Sequence, residues 1–232
     1  MDPHTPVLVG VGAAQQREPE PGAGLDCTAL MTEAVRSALG DTETRSAAPR
    51  VDWIGATRGL SLLPDAARRI AESLGVQAHT VAADVGIPQQ TLVNRALDAI
   101  RTGAADVAVV CGGETKFRDD TAARAGVALP GHGQDELVPD THMAPEGEII
   151  ARPEIEIGAV VPAQQYAMID GARRGAEGWT LGEHRDDIAA VWSRFNPVAQ
   201  TRSAGSPGRG RGSPPRSSAC RNRRADSIER PC

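Results

Sequence analysis

The alternation of apolar and polar positions along the chain predicts strands that alternate with helices. Short continuous apolar runs, typical of strands covered on both faces, are separated by segments whose apolar residues recur at helical spacing. This order implies right-handed crossovers and a mostly parallel sheet, so the predicted fold class is α/β with helices on both faces. The predicted strands are residues 5–16, 51–59, 78–85 and 106–113, and the predicted helices are residues 26–41, 64–76, 88–103, 161–175 and 180–195.

Capping residues support several of these helices. Asp26 stands where an N-cap is needed, and Gly75 where a helix would end. Thr180 and Glu183 have the spacing of a capping box at the start of the last helix. That helix is expected to bury a stripe formed by Ile188, Val191, Trp192 and Phe195.

Composition divides the chain into four parts. Residues 5–114 hold the regular α/β pattern, and residues 115–160 are acidic and rich in Pro and Gly, which predicts a loop or insertion region with weak local order. Residues 161–201 return to a helical pattern. Residues 202–232 are rich in Arg, Ser, Gly and Pro with almost no large apolar side chain, so a disordered tail is expected.

The charge of the tail is opposite to that of the body. Residues 202–232 hold eight arginines against two acids, a net charge of +6; since the whole chain carries −5, residues 1–201 carry −11. One explanation is a shifted reading frame in GC-rich DNA, which yields such Arg, Pro, Ser and Gly mixtures. The alternative is a basic arm for nucleic acid, which the lack of interleaved aromatic residues disfavours.

No targeting or membrane signal is apparent in the sequence. The N-terminus lacks the basic region of a signal peptide, and no apolar run approaches the roughly 18 residues needed to cross a bilayer. The four cysteines form no C-x-x-C pair and have no histidine at zinc-site spacing; they are Cys27, Cys111, Cys220 and Cys232. A cytoplasmic, reduced protein is therefore expected.

Two motifs resemble binding sites only superficially. The glycines of residues 10–15, GVGAAQ, do not open a helix directly, as a dinucleotide fingerprint must, so a turn at a strand end is favoured over cofactor binding. The segment at residues 131–136, GHGQDE, with His142, Glu146 and Glu148, has no metal-ligand spacing and is interpreted as a solvated loop.

Two cysteines are candidate nucleophiles. Cys111 ends an apolar strand and is followed by glycines, an environment that favours packing over a reactive thiolate. Cys27 lies at a predicted helix start, where the dipole favours a thiolate, but no base accompanies it in sequence.

The order of these elements resembles the N-terminal half of a thiolase. The opening TPVLVGVGAAQQRE is similar to the first strand of actinobacterial thiolase-like acetyl-CoA acetyltransferases, and NRALDAIRTGAADVAVVCGGET resembles the helix that follows their nucleophile. The segments VPAQQYAMIDGARRG and TLGEHRDDIAAVWSRFNPVAQ resemble the helices after their loop domain. The resemblance covers residues 5–201.

The resemblance implies acyl transfer on acyl-CoA or acetyl-CoA through a cysteine thioester, with no metal or redox cofactor. Thiolases carry Cys-Gly-Ser-Gly at the start of the nucleophile helix, and counting back from the matched residues 100–101 places that cysteine on Gly86. The histidine and second cysteine of the family lie in a C-terminal half that this chain does not show. The expectation is a thiolase-like half without its catalytic residue, inactive alone.

The resemblance also implies partners. Thiolases dimerise through the strand and helix that here include residues 82–99, so a homodimer or a mixed dimer with an intact thiolase is expected. Two other functions stay open: a non-catalytic module that binds acyl-CoA or a partner subunit, and a nucleic-acid-associated protein that acts through its tail.

Overall fold

The computed structural model describes residues 4–42, 47–130 and 137–203, and α7 has no described side chains beyond Val198. The chain divides into two compact units, Met1–Ala151 and Arg152–Cys232. The domain boundaries predicted at residues 114, 160 and 201 stay predictions.

The elements, in chain order, are α1 (Cys27–Asp41), a 3-10 turn (Ala48–Arg50), β1 (Val51–Thr57), α2 (Ala66–Leu74), β2 (His79–Ala83), α3 (Gln89–Arg101), β3 (Val107–Cys111), α4 (Lys116–Ala125), β4 (Thr141–Met143), α5 (Arg152–Glu156), α6 (Pro162–Ala176) and α7 (Leu181–Ser203).

The first unit is built on a parallel sheet of four strands in the order β3-β1-β2-β4. The register pairs Gly55 of β1 with Val81 of β2 on one side and with Val110 of β3 on the other. The parallel α/β class predicted from the apolar runs is therefore confirmed. All carboxyl ends of the strands lie at one edge of the sheet, where α/β proteins place their ligand sites.

Helices cover both faces of this sheet. On one face, α1 and α2 pack through Met31 and Ile70 against Ile54 of β1. On the other face, α3 packs through Leu92 against Trp53 of β1. Ile54 and Trp53 are neighbours in sequence and lie in opposite clusters because successive strand residues point to opposite faces.

The helices of this unit begin and end at residues suited to those positions. The carboxylate of Asp26 accepts a hydrogen bond from the Ala29 amide at 2.8 Å and caps α1 as predicted. Asp65 caps α2 in the same way, and Gly75 ends that helix with a left-handed φ of 70°. Local capping chemistry thus sets the limits of both helices.

Residues 5–16 do not form the predicted strand. Val7 is 68% and Leu8 is 85% exposed, and no strand pairs with this segment among the described residues. Gly10 and Gly12 lie so close to the α1 backbone at Ala38 that a Cβ at either position would overlap it. The absence of a side chain at the glycines lets the segment lie close to α1, and the apolar pattern alone could not reveal that the segment packs on a helix.

The region predicted as a weakly ordered loop contributes to the sheet. It includes α4, and it supplies β4, which pairs with β2. Asp140, directly before β4, accepts a hydrogen bond from the Thr80 amide at 2.8 Å, and the Asp140 amide donates to the Thr80 hydroxyl oxygen at 3.1 Å. Arg68 of α2 pairs with the same carboxylate at 3.0 Å. These side-chain contacts attach β4 to β2, so that β4 is the outermost strand on that side of the sheet.

In the second unit, α6 and α7 are the main helices. The predicted capping box forms, with the Thr180 amide donating to Glu183 at 2.8 Å and the Glu183 amide donating to Thr180 at 3.3 Å. The buried His184 bonds to Asp170 of α6 through Nε2 at 2.6 Å. This contact joins the two helices within the unit.

The stripe predicted to be buried on α7 is largely exposed. Trp192 is 67% and Phe195 is 58% exposed, although their rings contact each other edge to face at 6.0 Å. Ile188 and Val191 are half-buried. Helical spacing correctly placed these residues on one side, but no described element covers that side.

None of the helices in the described ranges is long and apolar enough to cross a membrane.

Candidate functional site

Charged side chains meet at the carboxyl edge of the sheet. Arg58 follows β1 directly and Asp84 follows β2 directly, and their side chains pair at 2.8 Å between Nη1 and Oδ1. His142 of β4 contacts the same Asp84 oxygen through Nε2 at 3.0 Å. Two residues that follow strands and one residue within a strand thus form a single cluster, Arg58–Asp84–His142.

Arg58 also fixes the loop that follows its strand. Its guanidinium donates to the Leu63 carbonyl at 3.0 Å and to the Leu62 carbonyl at 3.2 Å. Leu62 has a φ of 50°, a conformation that non-glycine residues rarely adopt. Because the two carbonyls accept from one guanidinium, the strained loop is held next to Asp84.

Opposing effects act on the pKa of Asp84. Partial burial raises it, but hydrogen bonds from His142 and Arg58, together with their charges, outweigh this and hold the pKa below its usual range. Asp84 is therefore an ionised carboxylate at neutral pH. It serves as an acceptor for its two partners and is not poised as a proton donor.

Gly86, the place where the resemblance puts the thiolase nucleophile, precedes α3 and has a φ of 102°. A Cβ on this residue would lie 2.6 Å from Cδ1 of Ile149 and 3.3 Å from Cγ of Pro145. The segment that follows β4 therefore occupies the space into which a side chain at residue 86 would project. The position has no side chain and no room for one without movement of Ile149.

Cys111 packs as an apolar residue. It ends β3 and, although partly exposed as a whole residue, contacts the core cluster beneath α1 and α2. Burial raises the pKa of its thiol to about 12. A thiol of this pKa is protonated at neutral pH, which favours the packing interpretation.

Cys27 is the first residue of α1 and is 1% exposed. Its Sγ donates to the Gly113 carbonyl at 3.2 Å. Burial is the main cause that raises the pKa of the thiol and outweighs the lowering effect of Ser61, and nearby carboxylates, Glu114 foremost, add to the rise. The helix start therefore does not produce a thiolate here, and the sulfur lies inside the core.

Glu114 connects two loops at the same edge of the sheet. Its carboxylate accepts from the Leu60 amide at 2.6 Å and from the Ser61 hydroxyl at 3.3 Å. These two hydrogen bonds tie the segment that follows β3 to the loop after β1. The Gly-Gly-Glu of residues 112–114 thus has a structural role.

Of the candidate metal motif, His142 is the residue that reaches this edge of the sheet. Residues 131–136 lie outside the described part of the chain, and within that part no group of three or more His, Cys, Asp or Glu side chains is arranged to hold a metal ion. His142, expected in a solvated loop, instead lies in β4.

Sequence reasoning missed Arg58, Asp84 and Ile149. A signal existed for the first two, because each directly follows a predicted parallel strand, and such residues gather at one edge. No signal existed for Ile149, whose contact with Gly86 joins positions far apart in the chain.

Comparison with known proteins supports the resemblance at the level of the fold. No family model and none of the curated proteins matches the chain. Among solved structures, a monomeric SCP2-thiolase-like protein type 1 from Mycobacterium smegmatis matches with a TM-score of 0.59 and 23% identity. The match covers 87% of this chain and 36% of that chain, so this chain spans about a third of that protein's length. The chain therefore has a thiolase-like fold.

Proposed function

We propose that this chain corresponds to the N-terminal half of an acyl-CoA-handling thiolase-like protein and does not itself form an acyl-cysteine intermediate. The observation that supports the proposal is at the entry to α3, where Gly86 stands at the position that the resemblance assigns to the cysteine and Ile149 lies in the adjacent space. The thiolase-like fold supports the family assignment.

Acyl transfer through a thioester needs a thiolate that can reach the acyl carbonyl. The described cysteines do not meet this need. Cys27 is buried and donates to a backbone carbonyl, and burial raises the pKa of the Cys111 thiol to about 12. Neither thiol lies at the start of α3, where the helix dipole would favour a thiolate.

Acetyl transfer tests the absence of a nucleophile directly. The full chain is incubated with acetyl-CoA carrying a radioactive acetyl group, and protein-bound label is measured before and after neutral hydroxylamine, which cleaves thioesters. A thiolysis assay is run in parallel on the wild type and on Cys27→Ala and Cys111→Ala. We expect no hydroxylamine-sensitive label and no thiolysis. Clear wild-type activity that either substitution abolishes would overturn the proposal.

The substrate class, an acyl-CoA thioester, follows from the resemblance and needs its own test. Isothermal titration of the full chain with acetyl-CoA, with free CoA as the matched control, measures binding without requiring turnover. Binding without thiolysis would support a chain that retains thioester recognition. Absence of binding would refute acyl-CoA recognition by this chain, whatever the labelling experiment shows.

A further inference from the structure

The outer edge of β2 is covered by the chain itself. β2 pairs with β1 on one side and with β4 on the other, and β4 is the outermost strand on that side among the described residues. The register pairs residues 81–83 with residues 141–143. Residues 80–83 are all buried. β2 therefore has no free edge in the folded chain.

A side chain extends the short ladder between β2 and β4. At one end, the Met143 carbonyl accepts from the Asp84 amide at 2.9 Å. At the other end, the Asp140 carboxylate accepts from the Thr80 amide at 2.8 Å, as the backbone carbonyl of a longer strand would do. Arg68 of α2 pairs with the same carboxylate at 3.0 Å. The amides at both ends of β2 are thus bonded to residues 140–143, which we call the cover segment.

Without the cover segment, β2 would be an edge strand suited to pairing with another chain. Its sequence, His-Thr-Val-Ala-Ala, includes no Pro, Lys, Asp or Glu, residues that usually discourage pairing at an edge. The amides of Thr80 and Asp84 would also lose their acceptors. An uncovered β2 therefore offers both apolar side chains and free backbone donors to an added strand.

β4 is much less suited to accept a further strand. It has only three residues, and Thr141 and His142 are exposed. Pro139 and Pro145 lie on either side of it, and proline has no amide that could lengthen the ladder. Short, polar edge strands and nearby prolines are means by which proteins avoid pairing between sheets. The cover segment thus replaces an apolar edge with one that resists pairing.

We propose that the cover segment keeps β2 from pairing with a second copy of this chain, and that Asp140 is the residue that holds the segment in place. When the contacts of Asp140 are lost, β2 becomes an open edge and a strand of a second copy takes the place of β4. The surface at residues 82–99 includes the end of β2, so a dimer through these residues has to use α3 or displace β4. This inference goes beyond the proposed function, because it does not depend on acyl-CoA binding.

Sedimentation velocity of the full chain over a range of concentrations tests the proposal. Asp140→Ala removes the contacts that hold the cover segment. Asp120→Ala is the matched control, because it removes the same charge from an exposed residue that pairs with Lys116 within α4. We expect Asp140→Ala to self-associate at concentrations about tenfold lower than the wild type and the control. Association through any other surface is common to all three proteins and cancels in the comparison.

A milder variant keeps the test usable if Asp140→Ala does not fold, which circular dichroism reveals. Asp140→Asn retains an oxygen that can accept from the Thr80 amide and loses the charge that pairs with Arg68. We expect its self-association to lie between those of the wild type and Asp140→Ala. Self-association of Asp140→Ala and Asp140→Asn that equals that of the control would overturn the proposal.

Hydrogen exchange locates the change within the chain. At low concentration, we expect the amides of Thr80 and Asp84 to exchange about tenfold faster in Asp140→Ala than in the control, and to slow again as the variant associates. Exchange at residues 107–111 should differ little between the two proteins. Unchanged exchange at Thr80 and Asp84 would show that Asp140 does not hold the segment. Protection of these two amides in the wild type that grows with concentration would show that the edge is not closed, and either result would overturn the proposal.

Discussion

Ile149 lies against Gly86, with its Cδ1 only 2.6 Å from the position that a Cβ on residue 86 would take. The glycine also has a φ of 102°, where residues with a Cβ are strained. Two independent penalties therefore oppose any side chain at this position.

These penalties can be separated by substitution. We expect Gly86→Ala to destabilise the chain by about 1 kcal/mol or more for the backbone strain and by at most about 1 kcal/mol for contact with Ile149, because that side chain is 57% exposed and can change rotamer. Gly126→Ala is the matched control, because Gly126 has a φ of 68° and nothing lies within 4 Å of the position that its Cβ would take, so only the first penalty applies. Urea unfolding measures the loss in the free energy of unfolding for both variants.

Ile149→Ala should remove the clash and leave the strain. In the double variant Gly86→Ala/Ile149→Ala, the cost of Gly86→Ala is expected to fall, while Ile149→Ala should leave the cost of Gly126→Ala unchanged. If the cost is unchanged in the Ile149→Ala background, Ile149 does not occupy the space above Gly86 in solution.

The buried cap of α2 should contribute more stability than the exposed cap of α1. Asp65 is fully buried and accepts from the Arg68 amide and the Thr80 hydroxyl, each at 2.9 Å. Asp65→Ala leaves buried donors without an acceptor, so we expect a loss of about 2–4 kcal/mol. Asp26→Ala, which removes the exposed cap of α1, should cost about 1 kcal/mol. Equal losses in urea unfolding would contradict this ranking.

The low pKa of Asp84 predicts a pH-dependent contribution to stability. Because its pKa is lower in the folded than in the unfolded chain, its ionised form stabilises the fold above the unfolded value of about 4. This contribution is lost as the pH falls through the folded pKa.

Asp84→Asn tests this dependence. The variant should be less stable than the wild type at pH 7, and the difference should shrink steadily below about pH 4. Glu20→Gln, at an exposed position before α1, is the control and should not show the same trend. A difference between wild type and Asp84→Asn that is constant from pH 7 to pH 3 would exclude a carboxylate stabilised by Arg58 and His142.

The two described cysteines should react slowly in the folded chain. A thiol with a pKa of about 12 has a thiolate fraction at pH 8 that is lower by more than a hundredfold than that of an ordinary cysteine with a pKa of about 8.5. Iodoacetamide labelling followed by peptide mapping should give much slower modification at Cys111 and Cys27 in buffer than in urea. Equal rates in the two conditions would show that the thiols are accessible and ionised.

Much of the core could be predicted from local patterns. The elements from α1 to β3 follow from apolar spacing, from caps such as Asp26 and from helix ends such as Gly75, because these signals act within a few residues. Features that depend on distant pairing could not be predicted. The apolar residues of the segment around Leu8 suggested a strand, but a strand needs a partner, and the sequence does not show which one is present.

The same distinction holds for the candidate site. The resemblance assigns the place of the cysteine to Gly86, which stays a prediction, and the structure adds that Ile149 lies beside this position. His142 was expected in a loop because only its neighbours in sequence were informative. Its partner, Asp84, is brought near by the pairing of β4 with β2, which local patterns do not encode.

The attachment of β4 has a consequence for the order of assembly. This strand has only three residues, and Asp140 beside it bonds to Thr80 of β2 and Arg68 of α2. Both partners must be in position before Asp140 can bind them, and the segment between Thr80 and Asp140, which contains α3, β3 and α4, must be closed at an entropic cost that these contacts offset. We therefore expect β4 to join the sheet after β2 and α2 have docked and to open before the longer strands, so its amides should exchange faster than those of β1.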